Sequence, residues 1–173
     1  MASYYYLISS LPMLTSDSEM PFSYEHFLEL CSSFVTEEQM NRFKDLTVRV
    51  KDGPLFKEWH EFYESFDEEL TYERSVRLSK PCEPPLYHNE VVTKMVQDLL
   101  KMDNPLEAEK KLLSMEFSKL DELIGTHSFD EYALNGYALK LKLLERLRAF
   151  DLERGKEEFD RLFNGIQDQI NNI

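Results

Sequence analysis

Residues 128–159 read SFDEYALNGYALKLKLLERLRAFDLERGKEEF, and this one stretch carries a helix start, an apolar run, a basic patch and a turn into a further helix. Ser128 followed by Glu131 has the spacing of a capping box, in which each side chain satisfies a backbone donor left open in the first turn. Across residues 132–139 only Asn135 is strongly polar, so this part of the helix is expected to be buried nearly all round. Lys140, Lys142, Arg146 and Arg148 then follow against Glu145 alone, in a chain of net charge -13. Such a reversal has two readings. Cations near a helix C-terminus favour the macrodipole with no ligand involved. Lys142 and Arg146, four residues apart on one side of the helix, repel slightly unless an acidic partner, internal or external, faces them.

The rest of the chain has the same helical punctuation. Residues 4–11 are aromatic and aliphatic up to Pro12, and their periodicity fits either a short strand or the first turns of a buried helix. Ser23 is expected to cap a helix through about Phe34, with Tyr24, Phe27, Leu28 and Cys31 on one face. Thr36 with Gln39 is a second capping box, opening a short helix that fades before the β-branched residues 47–50. Asp52, Gly53 and Pro54 break the chain, and Pro54 suits the first turn of the next helix, where its missing N–H costs nothing. From there to about Ser79, Leu55, Trp59, Phe62, Phe66 and Leu70 form an aromatic stripe at spacings of three and four, opposite Glu58, Glu61, Glu64, Glu68 and Glu69. That helix would be roughly 39 Å long at about 1.5 Å per residue.

Residues 80–88, KPCEPPLYH, cannot be helical through their prolines and are the best boundary in the chain. They divide a helical lobe at residues 1–80 from another at 89–173, or else interrupt one continuous domain. Beyond them Asn89 can cap a helix through Met102. Asn104 with Pro105 opens another that stops at Gly125, with Leu106, Leu113, Phe117, Leu120 and Ile124 in its stripe. After the opening stretch a last helix is expected over residues 152–170. Five glycines and little strand-like alternation leave small room for a sheet. The expected fold is mainly α, an elongated multi-helix bundle with a short extended or helical N-terminal segment.

Composition excludes several function classes. Hydrophobic content of 42% and aromatic content of 13% are too high for intrinsic disorder despite 31% charged residues. A pI near 4.8 opposes a phosphate-tracking surface, so nucleic acid is not an expected partner. The N-terminal apolar run has no basic residues before it and is too short to span a bilayer, so a cytoplasmic chain without a membrane span is expected. Cys31 and Cys82 form no metal-binding spacing.

Chemistry-bearing motifs are scarce. A carboxylate-bridged metal centre in a bundle needs paired Glu-x-x-His, which occurs at none of the four histidines. His60-Glu61 begins like a zincin helix, but position 64 is Glu. There is no phosphate-cradling glycine loop, nucleophile elbow or dinucleotide fingerprint. Cys31 lies on the apolar face of its helix and reads as a small core residue. No cofactor, metal or catalytic residue is assigned. The residues left for partner contact are Tyr4, Tyr5 and Tyr6, since tyrosine is enriched at interface hot spots, the glutamates Glu58, Glu61, Glu64 and Glu68, and the cations Lys140, Lys142, Arg146 and Arg148. For the tyrosines the plain alternative is that alternate rings pack into the core while the others sit half exposed.

The N-terminal YYYLISSLP (4–12), PFSYEHFLE (21–29) and the C-terminal YALKLKLLERLRAFDLERGKEEF (137–159) together resemble a bacterial family whose genes lie in V/A-type ATPase operons, and whose members are similar to the C subunit of these ATPases, named d in eukaryotes. The middle of the chain shares only its helical character. The C subunit proper is longer and built from repeated helical lobes, whereas here the segments at Phe22 and Phe129 are only faintly alike. The resemblance implies an all-helical, non-catalytic adaptor between the central stalk and the membrane ring, peripheral to the membrane, whose partners are other subunits of the ATPase. It implies that the α-helical glutamate face and the basic patch are contact surfaces. Two other readings stand beside it: an assembly or regulatory factor of the ATPase, and a helical-bundle enzyme with an unrecognised site.

Overall fold

The computed structural model describes residues 4–85 and 89–148 together with Arg161 and Phe163, and its regular structure among these is seven α-helices with no strand. The N-terminal choice resolves as helix. In α1 (Tyr4–Ser10) Leu7 is buried, and Ser10 Oγ donates to the Leu7 carbonyl at 2.7 Å to close the last turn. α2 (Tyr24–Cys31) starts at its expected cap, where the Ser23 hydroxyl accepts from the His26 N–H at 3.2 Å. It ends before the expected Phe34. The amides of Phe34 and Val35 both turn back to the Cys31 carbonyl, at 2.9 and 3.1 Å, and the chain then extends so that Thr36 can cap α3 (Glu37–Lys44) by accepting from the Gln39 N–H at 3.3 Å.

The break at residues 52–54 is present, but Pro54 lies outside the helix rather than in its first turn. α4 (Phe56–Arg77) begins after Leu55, whose φ of 68° is unfavourable for a side chain with a Cβ. A non-glycine residue in such a conformation costs about 1–3 kcal/mol. Leu55 is held there by burial of its side chain, by its carbonyl accepting the Trp59 amide at 3.0 Å, and by the Pro54 carbonyl accepting from Asn135 Nδ2 at 2.9 Å. Trp59 is fully buried, and its indole N–H donates to the Val48 carbonyl at 2.8 Å. Of the five glutamates expected to face water, Glu58, Glu61, Glu64 and Glu68 are exposed and Glu69 is not. The correction has a helical reason: residues 62, 66 and 69 follow one another at spacings of four and three, so Glu69 shares a face with Phe62 and Phe66.

Residues 81–85 are non-helical, as the prolines require, and Leu86, Tyr87 and His88 lie outside the described residues. Asn89 Oδ1 accepts from the amides of Val91 and Val92 to start α5 (Glu90–Leu100), which ends before Met102. Asn104, Pro105 and Gly125 bound α6 (Pro105–Ile124) as expected, with Gly125 at φ 53°. α7 (Glu131–Arg148) needs one correction at its start. Asp130 is the cap, its Oδ1 accepting from the Ala133 N–H at 3.0 Å, while the Ser128 hydroxyl donates to the Thr126 carbonyl and the Glu131 carboxylate reaches Arg42 at 3.0 Å. The helix expected over residues 152–170, and the turn before it, fall outside the described residues except for Arg161 and Phe163, which are helical.

The expected burial of α7 is present and runs further than residues 132–139. Leu134, Asn135, Gly136, Ala138, Leu139, Leu141, Leu143 and Leu144 are all buried. The leucines and Ala138 among them join Leu7, Phe27, Phe43 and Trp59 from one side of the proline-rich segment and Leu113, Phe117 and Leu120 from the other in one principal core. A smaller cluster of Phe66, Val92, Val96 and Leu99 ties α4, α5 and α6 together. Gly136 lies against α6, where a Cβ would meet Ile124 Cγ1 at 2.7 Å. The chain is a mainly α multi-helix bundle in which α7 is the shared buried element.

Candidate functional site

Two cations of α7, Lys140 and Arg146, pair with carboxylates on α6. Arg146 reaches both oxygens of Glu116, at 2.9 and 2.5 Å, and its Nε reaches Glu109 at 2.6 Å. The Glu116 side chain is 1% exposed, so the guanidinium fork supplies the hydrogen bonds that water cannot. Burial raises the Glu116 pKa, with Arg146 opposing the shift and Glu109 adding to it. Lys140 pairs with Asp121 at 2.5 Å and lies 5.4 Å from the centre of the Phe117 ring. Lys142 pairs with Glu145 at 2.9 Å and sits 3.8 Å from the Tyr24 ring centre, a ring whose hydroxyl donates to the Phe43 carbonyl. Arg148, exposed at the end of the helix, touches the Met20 sulfur at 3.9 Å. Of the internal and external acidic partners open to this patch, the internal ones occupy Lys140, Lys142 and Arg146.

The glutamate face of α4 lies at the surface. Glu58, Glu61, Glu64 and Glu68 are exposed; Glu64 faces His60 Nε2 at 3.3 Å, and Glu58 accepts a hydrogen bond from the Tyr132 hydroxyl. Burial, reinforced by Glu58, pushes the Tyr132 phenol up to about 12, so it stays a donor at neutral pH.

The three N-terminal tyrosines divide between core and surface. Tyr4 is half-buried, donates to Gln39 Oε1 at 2.9 Å, and has its pKa raised first by burial. Tyr5 and Tyr6 are 55% and 70% exposed. Tyr5 lies 4.7 Å from the ring centre of Phe129, itself 49% exposed, and Tyr6 meets Tyr5 edge-on at 5.6 Å. Phe129 belongs to the loop before α7 and is not among the contact residues expected from the sequence, where the neighbouring cap is the stronger signal. Its place between Ser128 and Asp130 was the available clue, since an aromatic beside a cap lies on the surface unless it packs back on the helix.

Tyr5, Tyr6 and Phe129 form a run of ring contacts at the surface. In the loop that carries Phe129, His127 stacks on Tyr132 at 4.5 Å and pairs with Asp130. Elsewhere a groove of about 410 Å³ between α5 and α6 is lined by Val91, Lys94, Met95, Lys111 and Met115. Among the described residues no group of three or more His, Cys, Asp or Glu side chains is placed to hold a metal ion. No helix among them is long and apolar enough to cross a membrane. Comparison of the chain with models of protein families, with curated proteins and with solved structures finds no match.

Proposed function

We propose that the chain is a non-catalytic component of a V/A-type ion-translocating ATPase, similar to its C subunit and serving as an adaptor between the central stalk and the membrane ring. The observation that carries the reading is spatial. The two stretches in which the resemblance resides, near the N-terminus and in the last third of the sequence, pack on one another. The Tyr137 hydroxyl donates to the Pro12 carbonyl at 3.1 Å across 125 positions, and Phe27 stacks on Tyr137 at 5.7 Å. Residues that a shared fold would retain are therefore in mutual contact. The function would be mechanical: a close-packed helical body resists deformation and so transmits force between the elements that grip it. Its charged faces would choose the partners. The chain would act on the cytoplasmic side, peripheral to the membrane through the complex.

A tagged full-length chain, recovered from its own cells with stoichiometry measured at low and high salt, tests the proposal. Co-recovery of ATPase subunits at a fixed ratio near one chain per complex is the expected result. Recovery far below that ratio would favour an assembly factor, and recovery of no ATPase component at any salt would overturn both readings. Loss of the ATPase only at high salt would implicate the charged faces, because screening weakens exposed charge pairs first.

A further inference from the structure

We propose that α5 is a detachable strap, which lifts off and unfolds while the principal core stays closed, and so uncovers the apolar side of Phe66 and of the residues packed with it, Leu70 on α4 and Leu112 and Met115 on α6. The two cores divide the helices unequally. Among the described residues α5 contributes no side chain to the principal core, and its three buried residues, Val92, Val96 and Leu99, all belong to the smaller cluster with Phe66. α4 changes sides along its length, with Phe56 and Trp59 in the principal core and Phe66 in the smaller one. The leucines of α7 reach the principal core all the way from residue 134 to residue 144.

Polar ties add little to the hold on α5. Those to α4 are exposed: Gln97 Nε2 donates to Glu73 Oε1 at 2.8 Å, and Arg77 donates to the Leu100 carbonyl. α7 is bound to α6 by the Lys140–Asp121 pair and by Arg146 with Glu109 and Glu116, whereas no such pair joins α5 to α6 among the described residues. Along that seam lie grooves of about 410 and 450 Å³. Burial of three aliphatic side chains only narrowly offsets the entropy lost in ordering the segment. At 11 residues α5 is too short to persist as a helix in water by itself, so lifting it also unfolds it. Segments held this weakly open in native proteins while better-buried elements stay shut. The result is an apolar face that the chain can hide or show without disturbing its main core.

Native-state amide hydrogen exchange of the full-length chain is the test. The hydrogen-bonded amides of α5 should exchange at least about 100-fold faster than those of residues 134–144, and their rates should rise much less steeply with urea, because the opening exposes less surface than unfolding the whole chain. The amides of residues 113–120 in α6 should follow α7, not α5. Phe43→Leu weakens the principal core equally whether α5 is seated or lifted, so it should speed exchange in α7 about tenfold and leave α5 within about twofold. Equal protection of α5 and α7 would overturn the proposal, as would exchange of α6 at the α5 rate or equal acceleration of α5 and α7 by Phe43→Leu. Wild-type exchange alone decides the matter should that variant fail to fold.

Discussion

Arg146→Met should destabilise the chain by about 3–5 kcal/mol at neutral pH, because it leaves Glu116 buried without its charge partner. The magnitude follows from the geometry. Both oxygens of Glu116 are held by one guanidinium at 2.9 and 2.5 Å, and the side chain is 1% exposed, so neither the charge nor the hydrogen bonds can be made good by water. Glu109, 13% exposed and held at 2.6 Å, loses its ion pair at the same time. One escape limits the cost: without Arg146 the remaining influences on Glu116, burial and Glu109, both raise its pKa, so the carboxyl can take up a proton. The sign follows directly. A carboxyl whose folded pKa lies above its unfolded value favours folding fully below the unfolded pKa and loses that contribution as pH rises through the folded one. The deficit of Arg146→Met should therefore be largest at neutral pH and shrink as pH falls through the raised Glu116 value. In urea denaturation of the full chain followed by circular dichroism, the neutral-pH loss corresponds to a midpoint lowered by about 1–3 M. Arg146→Met combined with Glu116→Leu should recover most of the stability, since an apolar pair of similar volume is often as stable as a buried ion pair. A single-variant loss below about 1 kcal/mol, or a deficit that does not shrink in acid, would refute the reasoning.

Further substitutions probe the other joints of α7. Gly136→Ala should cost about 1–3 kcal/mol through overpacking against Ile124, despite the roughly 1 kcal/mol by which alanine favours a helix over glycine; thermal unfolding of this variant and of Gly136→Ala with Ile124→Val checks it, the second recovering part of the loss. Asp130→Ala should cost about 0.5–2 kcal/mol as loss of a helix cap, with Ser128→Ala costing less. Burial alone would raise the Asp130 pKa, but the Ala133 amide and His127 outweigh it and lower it, so this cap contributes above the ordinary carboxylate range and fades as pH falls through the lowered value. Cys31 is fully buried and its thiol is pushed up to about 12, whereas Cys82 is exposed. A thiol-reactive dye should therefore label one cysteine of the native chain quickly and the second only on unfolding.

The local grammar of the fold was readable because caps and breakers act on their own neighbours. Ser23, Thr36, Asn89, Asn104 with Pro105, and Gly125 mark the helix ends that they were expected to mark. The errors lie where two candidates compete within a few residues. Asp130 and Ser128 both can cap α7, and the choice depends on Ser128 turning its hydroxyl back to Thr126. Leu55 rather than Pro54 ends the loop because the core takes its side chain, an interaction that local spacing does not encode. Glu69 and Glu116 were legible but unread. Glu116 stands with Leu113, Phe117 and Leu120 on one helical face, and a carboxylate in an apolar stripe demands a cation from elsewhere. That demand leads to Arg146, whose position in a basic patch had two readings from sequence alone. The aromatic surface was only half visible, since nothing in the sequence places Phe129 against Tyr5.

Because α7 supplies so much of the core shared by both sides of the proline-rich segment, the order of synthesis bears on how the chain reaches its fold. Leu7, Phe27, Phe43 and Trp59 emerge from the ribosome well before the leucines of residues 134–144 that cover them. At about 5–20 residues per second, the end of α4 waits roughly 3–10 s for the start of α7. During that interval the early helices can form their capped turns but not close their apolar faces. The exposed intermediate is one on which a chaperone would act, and truncation before residue 131 should yield an aggregating product rather than a smaller folded one.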